Sequence, residues 1–203
     1  AMGRHEVFSD CLPVFEQAFR EGGATNAMCS YNAIDGVPVS MDHQLLTDVL
    51  RGQFGMPGFV RADMTAVSRL YDWHFVAETP KDAVRMGISA GVDMQLYDFP
   101  HEVWQGSLAE LIASGELDPA ILDEACRRVL WVKFRLGLFE HPYTDEHRAE
   151  TVLRCPEHLA LARQIARESI VLLKNEGGLL PLDKHIGSVA VIGPGAAQAM
   201  LGD

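Results

Sequence analysis

Apolar residues recur at helical spacing from the first turns of the chain. Leu12, Phe15, Ala18 and Phe19 fall on one face of a helix read over 9–20. Glu21-Gly22-Gly23 ends it, because glycine accepts the left-handed conformation that closes a helix. The run 26–31 then reads as a short strand, and Asp35-Gly36 as a turn. With Asp42 as N-cap, a second helix carries Leu45, Leu46, Val49 and Leu50 inward. A second strand covers 58–63 and ends at Asp63, and a loop rich in Tyr71, Trp73, His74 and Phe75 follows. Thr79-Pro80 supplies the cap and first residue of a helix reaching Ser89. A third strand occupies 91–96, and helices over 102–113 and 118–136 complete the run, separated by Ser114-Gly115.

Strand and helix alternate three times, which is the pattern of parallel βα units. Their strands are short and apolar, as expected when both sheet faces are buried. Three units do not close a barrel of eight. Residues 137–154, with His141-Pro142-Tyr143 and several charges, read as a linker. A helix over 156–173 carries Leu159, Ala162, Ile165, Ala166 and Ile170 on its apolar stripe. After Gly177-Gly178 and Pro181, residues 188–192 read as a strand closed by Gly193-Pro194-Gly195. A lone strand cannot bury its faces. The expectation is therefore a second domain begun and not completed, in a piece of a longer protein.

Composition narrows the partners. Of 203 residues, 48% are hydrophobic and 22% charged, ample for a packed core. No apolar run approaches the roughly 18 residues of a membrane span. Twenty-eight acidic residues against 17 basic ones leave a net charge of −11, which argues against a nucleic-acid partner and suits a neutral small molecule. Cys11, Cys29, Cys126 and Cys155 lack CxxC spacing and read as small buried hydrophobes. The eight histidines form no HxxxH or HxH group, so no metal site is expected, and no cofactor.

Side chains at the C-terminal ends of parallel strands project into the mouth where α/β enzymes place their chemistry. Tyr31, Asp63 and the segment 95–98 qualify. A carboxylate at Asp63 could be a nucleophile, a general base, a metal ligand or the N-cap of the next helix. Arg61 shares its side of the strand by period two and, being inside, needs a partner. The expected partner is an acidic group such as Asp93 on the neighbouring strand, with Arg61 helping to keep Asp63 ionised. His74 is a candidate for the pocket rim.

Several runs together resemble family 3 glycoside hydrolases. Residues 28–38, read MCSYNAIDGVP, are similar to the family's SYNAxNGVP segment. LLTDVLR at 45–51 and FGMPGFV at 54–60 resemble LLTDxLRxxxGFxGFV, and AGVDM at 90–94 resembles AGxDM. LGLF at 136–139 with Pro142-Tyr143 resembles the end of the barrel domain, and 168–182 the entry to a second domain. The resemblance implies the last three βα units of a TIM-like (β/α)8 barrel over 1–140. A linker and connecting helix over 141–186 would follow, then the first strand of an α/β sandwich domain over 187–203.

It further implies a retaining exo-β-glycosidase, a β-glucosidase first, acting on a β-glucoside or cello-oligosaccharide. Asp63 stands where the family's SDW motif has its nucleophile. Tyr31 matches a tyrosine whose hydroxyl can hold that carboxylate. Met28 matches a residue lining the sugar pocket, although by sequence alone it is equally a core filler. Two departures stand out: Ala62 and Met64 replace the Ser or Thr and the Trp that flank the nucleophile. Met64 thus occupies the wall against the leaving group and leaves the aglycone preference open. No acidic residue here, including Asp72, Glu78, Asp98 and Glu102, matches an acid/base motif. That Glu is expected from the rest of the polypeptide, and a homo-oligomer is compatible with the sequence. β-Xylosidase and β-N-acetylglucosaminidase are rivals within the family, and a non-catalytic carbohydrate binder is a third. A nucleotide-binding oxidoreductase fits poorly, since Gln198 stands at the third glycine of the fingerprint after 189–195.

Overall fold

The computed structural model describes residues 3–198, and the chain divides into two compact units between Thr144 and Asp145. The first unit opens with α1 (Arg4–Glu6), a π-helical turn over Val7–Cys11 and α2 (Leu12–Arg20). β1 (Ala27–Met28) follows, then a hairpin of β2 (Ala33–Ile34) and β3 (Val37–Pro38). The hairpin turn is Asp35-Gly36, both at positive φ, as the sequence suggested. A second π-helical segment spans Gln44–Gln53, and β4 is Val60–Arg61. α3 (Arg69–Asp72), α4 (Pro80–Ala90), α5 (His101–Ala113) and α6 (Pro119–Arg135) complete the unit.

β1 and β4 are parallel, pairing Ala27 with Val60 and Met28 with Arg61. The third strand is reduced to a parallel bridge between Arg61 and Met94. Three expected strands are therefore present in the expected parallel order, but each is much shorter than the apolar run that announces it. One cause is visible beside β4. The Val60 N–H donates to the Asp93 carboxylate at 2.7 Å instead of to a third-strand carbonyl, which interrupts the ladder.

Helices follow their local signals more closely. Thr79 and Asp82 form a reciprocal capping box at the start of α4, and Gly91 closes it at φ 112°. Asp118 caps α6 through the Ala120 N–H. Leu45, Leu46, Val49 and Leu50 are all buried, and Asp42 accepts from the Leu45 N–H at 3.1 Å. They pack with Val60, Ala62, Val67, Leu70, Val84, Ile88, Val92 and Leu111 into one core. At the start of the chain only Leu12 of the expected apolar face is buried, and Phe15 is 45% exposed.

The second unit holds α7 (Glu146–Val152) and α8 (Pro156–Ser169). The stretch expected as linker thus contains a helix, nucleated where Asp145 accepts from the His147 N–H. α8 ends at Ser169, and the β-branched Ile170 and Val171 continue as extended chain. The strand expected over 188–192 is not formed: Val189, Val191 and Ile192 are exposed, and among the described residues no neighbouring strand offers them hydrogen bonds. No described residue of this unit is buried. Cys29 is buried as expected, whereas Cys126 is exposed on α6.

Candidate active site

Where β4 ends, the chain turns sharply and is held from several sides. Thr65 adopts a left-handed φ of 64°, unusual for a β-branched residue. Its N–H donates to the Leu96 carbonyl at 2.9 Å and its hydroxyl to the Met64 carbonyl at 2.6 Å. Ser40 donates to the Ala66 carbonyl from below. The buried Asp98 fastens the rest: one oxygen accepts from the N–H groups of Val67 (2.5 Å) and Ser68 (3.0 Å), the other from Leu96 (3.0 Å). Burial pushes the Asp98 carboxyl upward, and the three N–H donors pull against that. The segment 95–98 therefore contributes to the site by holding the loop that carries Asp63.

Asp63 is half-buried, and its Oδ1 accepts from the Met64 N–H at 2.7 Å. It caps no helix, since that donor is the next residue and α3 begins only at Arg69. Among the described residues no three His, Cys, Asp or Glu side chains gather as a metal site. The Tyr31 hydroxyl donates to the Met64 carbonyl at 2.6 Å, on the residue after Asp63. Partial desolvation first, and then the charge of the adjacent Asp63 carboxylate, push the Tyr31 phenol upward, so it stays a neutral donor at pH 7. Buried Cys29, pushed up to about 11 chiefly by desolvation, remains a thiol and offers no competing nucleophile.

An aromatic stack adjoins this pair. The Arg69 guanidinium lies over the Tyr31 ring, 4.8 Å from its centroid, and over the Trp73 ring at 4.4 Å. His74 Nε2 donates to the Tyr31 backbone carbonyl at 3.0 Å, which places His74 at this rim. Arg69 escapes a motif reading; its i, i+4 spacing to Trp73 is the signal that could have found it.

Met28 and Met64 are 51% and 52% exposed. Met28 is therefore no core filler; its Sδ lies 3.3 Å from Arg61 Nη2. A separate concavity of about 350 Å³, lined by Leu12, Phe15, Met28, Ile34, Leu46 and Leu50 among others, includes neither Asp63 nor Tyr31.

The expected Arg61–Asp93 pair is absent. Arg61 stands in register with Met28 and Met94, so Asp93, next to Met94, points to the opposite side of the sheet. There the buried Asp93 receives Arg51, Arg128 (2.8 Å) and the Val60 N–H. Arg51 also donates to the Gly91 carbonyl, and Thr47 to that of Ala90. A Cβ at Gly91 would come within 2.6 Å of both Arg51 Nη1 and Thr47 Oγ1. This joint supports β4 from the helix side, and neither arginine was expected in it.

Residues 1–132 match the glycosyl hydrolase family 3 N-terminal domain. The chain belongs to glycosyl hydrolase family 3. This family 3 chain is 38% identical over 198 residues to a periplasmic β-glucosidase of Salmonella typhimurium, covering 95% of itself and 25% of that protein. It is also 38% identical over 194 residues to a β-xylosidase of Formosa agariphila, covering 92% and 27%. Among solved structures, a β-glucosidase from Erythrobacter marinus superposes with a TM-score of 0.75 at 42% identity, over 84% of this chain and 22% of that one. A β-glucosidase from Listeria innocua in complex with glucose gives 0.77 at 36%, over 89% and 24%. The family 3 chain thus spans about a quarter of the length of these relatives, within an α/β fold.

Proposed function

We propose that this chain supplies the nucleophile of a retaining, exo-acting β-glycosidase, a β-glucosidase first. Asp63 would attack the anomeric carbon of a terminal β-D-glucosyl residue and form a glycosyl ester. A second carboxyl, contributed from outside these residues, would protonate the departing oxygen and later activate water, from roughly 5–5.5 Å away. The observation that carries this reading is the placement of Asp63. It lies two residues past the end of β4, which stands between its two parallel partners, and is half-buried, with one oxygen tied to the Met64 N–H and a neutral phenol beside it. Tyr31, by fixing the Met64 carbonyl, would hold the turn and leave the carboxylate free to react. Met28 would line the pocket of the terminal sugar, and Met64 the wall against the leaving group. The barrel assignment over 1–140 and the start of a second domain near 187 belong to the same proposal.

Reacting the full-length polypeptide with a 2-deoxy-2-fluoro-β-glucoside and mapping the adduct by mass spectrometry tests it. The label is expected on Asp63, and a label on another carboxyl overturns the assignment. The β-xylosidase reading comes second, favoured by the equal 38% identity to a relative of that name. A kcat/KM for nitrophenyl β-xyloside above that for the glucoside would place it first.

A further inference from the structure

We propose that Arg61 is a specificity-determining residue, placed to receive a carboxylate, and more weakly a hydroxymethyl group, carried on C5 of the terminal sugar. This rests on the reading of Asp63 as nucleophile and of Met28 as pocket wall. Arg61 lies two residues before Asp63, about 6.6 Å earlier along an extended chain and on the same face by its period of two. The ladder continues between them, since the Ala62 N–H donates to the Met94 carbonyl at 2.8 Å. On that face Arg61 is in register with Met28 on one side and Met94 on the other. A guanidinium thus stands between two thioethers, one layer beneath the reacting carboxylate.

Nothing among the described residues neutralises this cation. Arg61 is half-buried, and its polar contact there is the Met28 sulfur, 3.3 Å from Nη2. A thioether is a weak acceptor, whereas a guanidinium offers five N–H groups in a planar fork. The carboxylates at neighbouring positions are engaged elsewhere. Asp93 projects from the opposite face, where Arg51 and Arg128 hold it. Asp63 accepts from the Met64 N–H and, as nucleophile, faces the anomeric carbon. A cation withdrawn from water without a counter-charge is costly, so Arg61 calls for an oxygen anion brought to its own face.

The substrate can bring one. In an exo-acting site the leaving group points outward, so the far edge of the terminal ring, C4 and C5, points inward. The contact with Met28 sets the guanidinium on the lining of that pocket. A ring whose C1 meets Asp63 therefore turns its C5 substituent toward the layer that holds Arg61. A carboxylate on that carbon matches the fork in shape and charge. A hydroxymethyl group offers one neutral acceptor, and the bare C5 of a xyloside offers none. The substrate class that uses Arg61 fully is a β-linked hexuronide; a hexoside uses it in part.

The test uses the full-length polypeptide and three substrates with one leaving group: the nitrophenyl β-D-glucuronide, β-D-glucoside and β-D-xyloside. The parent is expected to hydrolyse the glucuronide with a kcat/KM at least that of the xyloside. Arg61→Met is expected to lower kcat/KM about ten- to hundredfold more on the glucuronide than on the xyloside, with the glucoside between. Arg61→Lys, which keeps the charge and gives up the planar fork, should show the same order with a smaller spread. A parent slower on the glucuronide than on the xyloside, or equal losses on all three substrates, overturns the assignment. Equal losses with a lower urea midpoint would give Arg61 a carboxylate partner within the polypeptide instead. Failure of the nucleophile reading shows separately. A 2-deoxy-2-fluoro-β-glucoside should label Asp63 in the unaltered protein, and a label elsewhere overturns that reading whatever Arg61 does.

Discussion

A carboxylate that attacks carbon has to be ionised and lightly bonded, and Asp63 is tied through one oxygen to its neighbour's N–H. Asp63→Asn is expected to lower kcat on a nitrophenyl glycoside by about 10⁴-fold or more, with azide restoring turnover as a glycosyl azide. Activity within about tenfold of the parent would place the nucleophile elsewhere. That Asp63 and Tyr31 follow neighbouring parallel strands was legible in the sequence, although those strands stop short of them, at Arg61 and Met28. The supporting role of Asp98 was not, because three backbone donors from two loops leave no motif. Its carboxyl lies above the ordinary 3.8, so the folded state binds that proton more tightly than the unfolded chain. Stability from this group therefore falls as pH rises from about 3.8 through the folded value. Asp98→Asn abolishes that slope and sets an amide against the Leu96 N–H. Its deficit against the parent, read from urea midpoints between pH 3.5 and 7, should be largest in acid and shrink as pH rises. Parallel curves would show that the charge of Asp98 carries no such linkage.

Helices announced themselves locally and strands did not. The Thr79 box, the Asp118 cap and the periodic leucines of 45–50 lie within a few residues of what they determine. Strand length instead depends on partners far along the chain, and at β4 a side chain takes the place of one of them. The same distance hid the Arg51–Asp93–Arg128 joint and misdirected Arg61, whose register is fixed by two other strands. Asp93→Ala leaves two arginines, 11% and 21% exposed, without their carboxylate. The loss expected from urea unfolding is about 3–5 kcal/mol. Thr79→Ala, which removes one cap, should lose only about 1 kcal/mol. If the two variants are equally stable, Asp93 is not the joint described.

At the scale of the chain, the two units differ in kind. The first encloses a contiguous core, whereas no described residue of the second is buried and the apolar stripe of α8 is open: Leu159, Leu161 and Ile165 are each about half exposed. Sequence periodicity identified that stripe but carries no information on what covers it. Amides that exchange slowly, measured by mass spectrometry on this chain, are therefore expected within 3–144 and not within 145–198. Slow exchange across α8 would contradict the picture of an uncovered helix. Beneath the site, Gly91 is hemmed in by Thr47 and Arg51. Even a methyl group there would shoulder the guanidinium away from its acid and loosen the underpinning of β4. Gly91 lies on the face of the strand opposite Asp63, and its left-handed φ of 112° strains every other residue placed there.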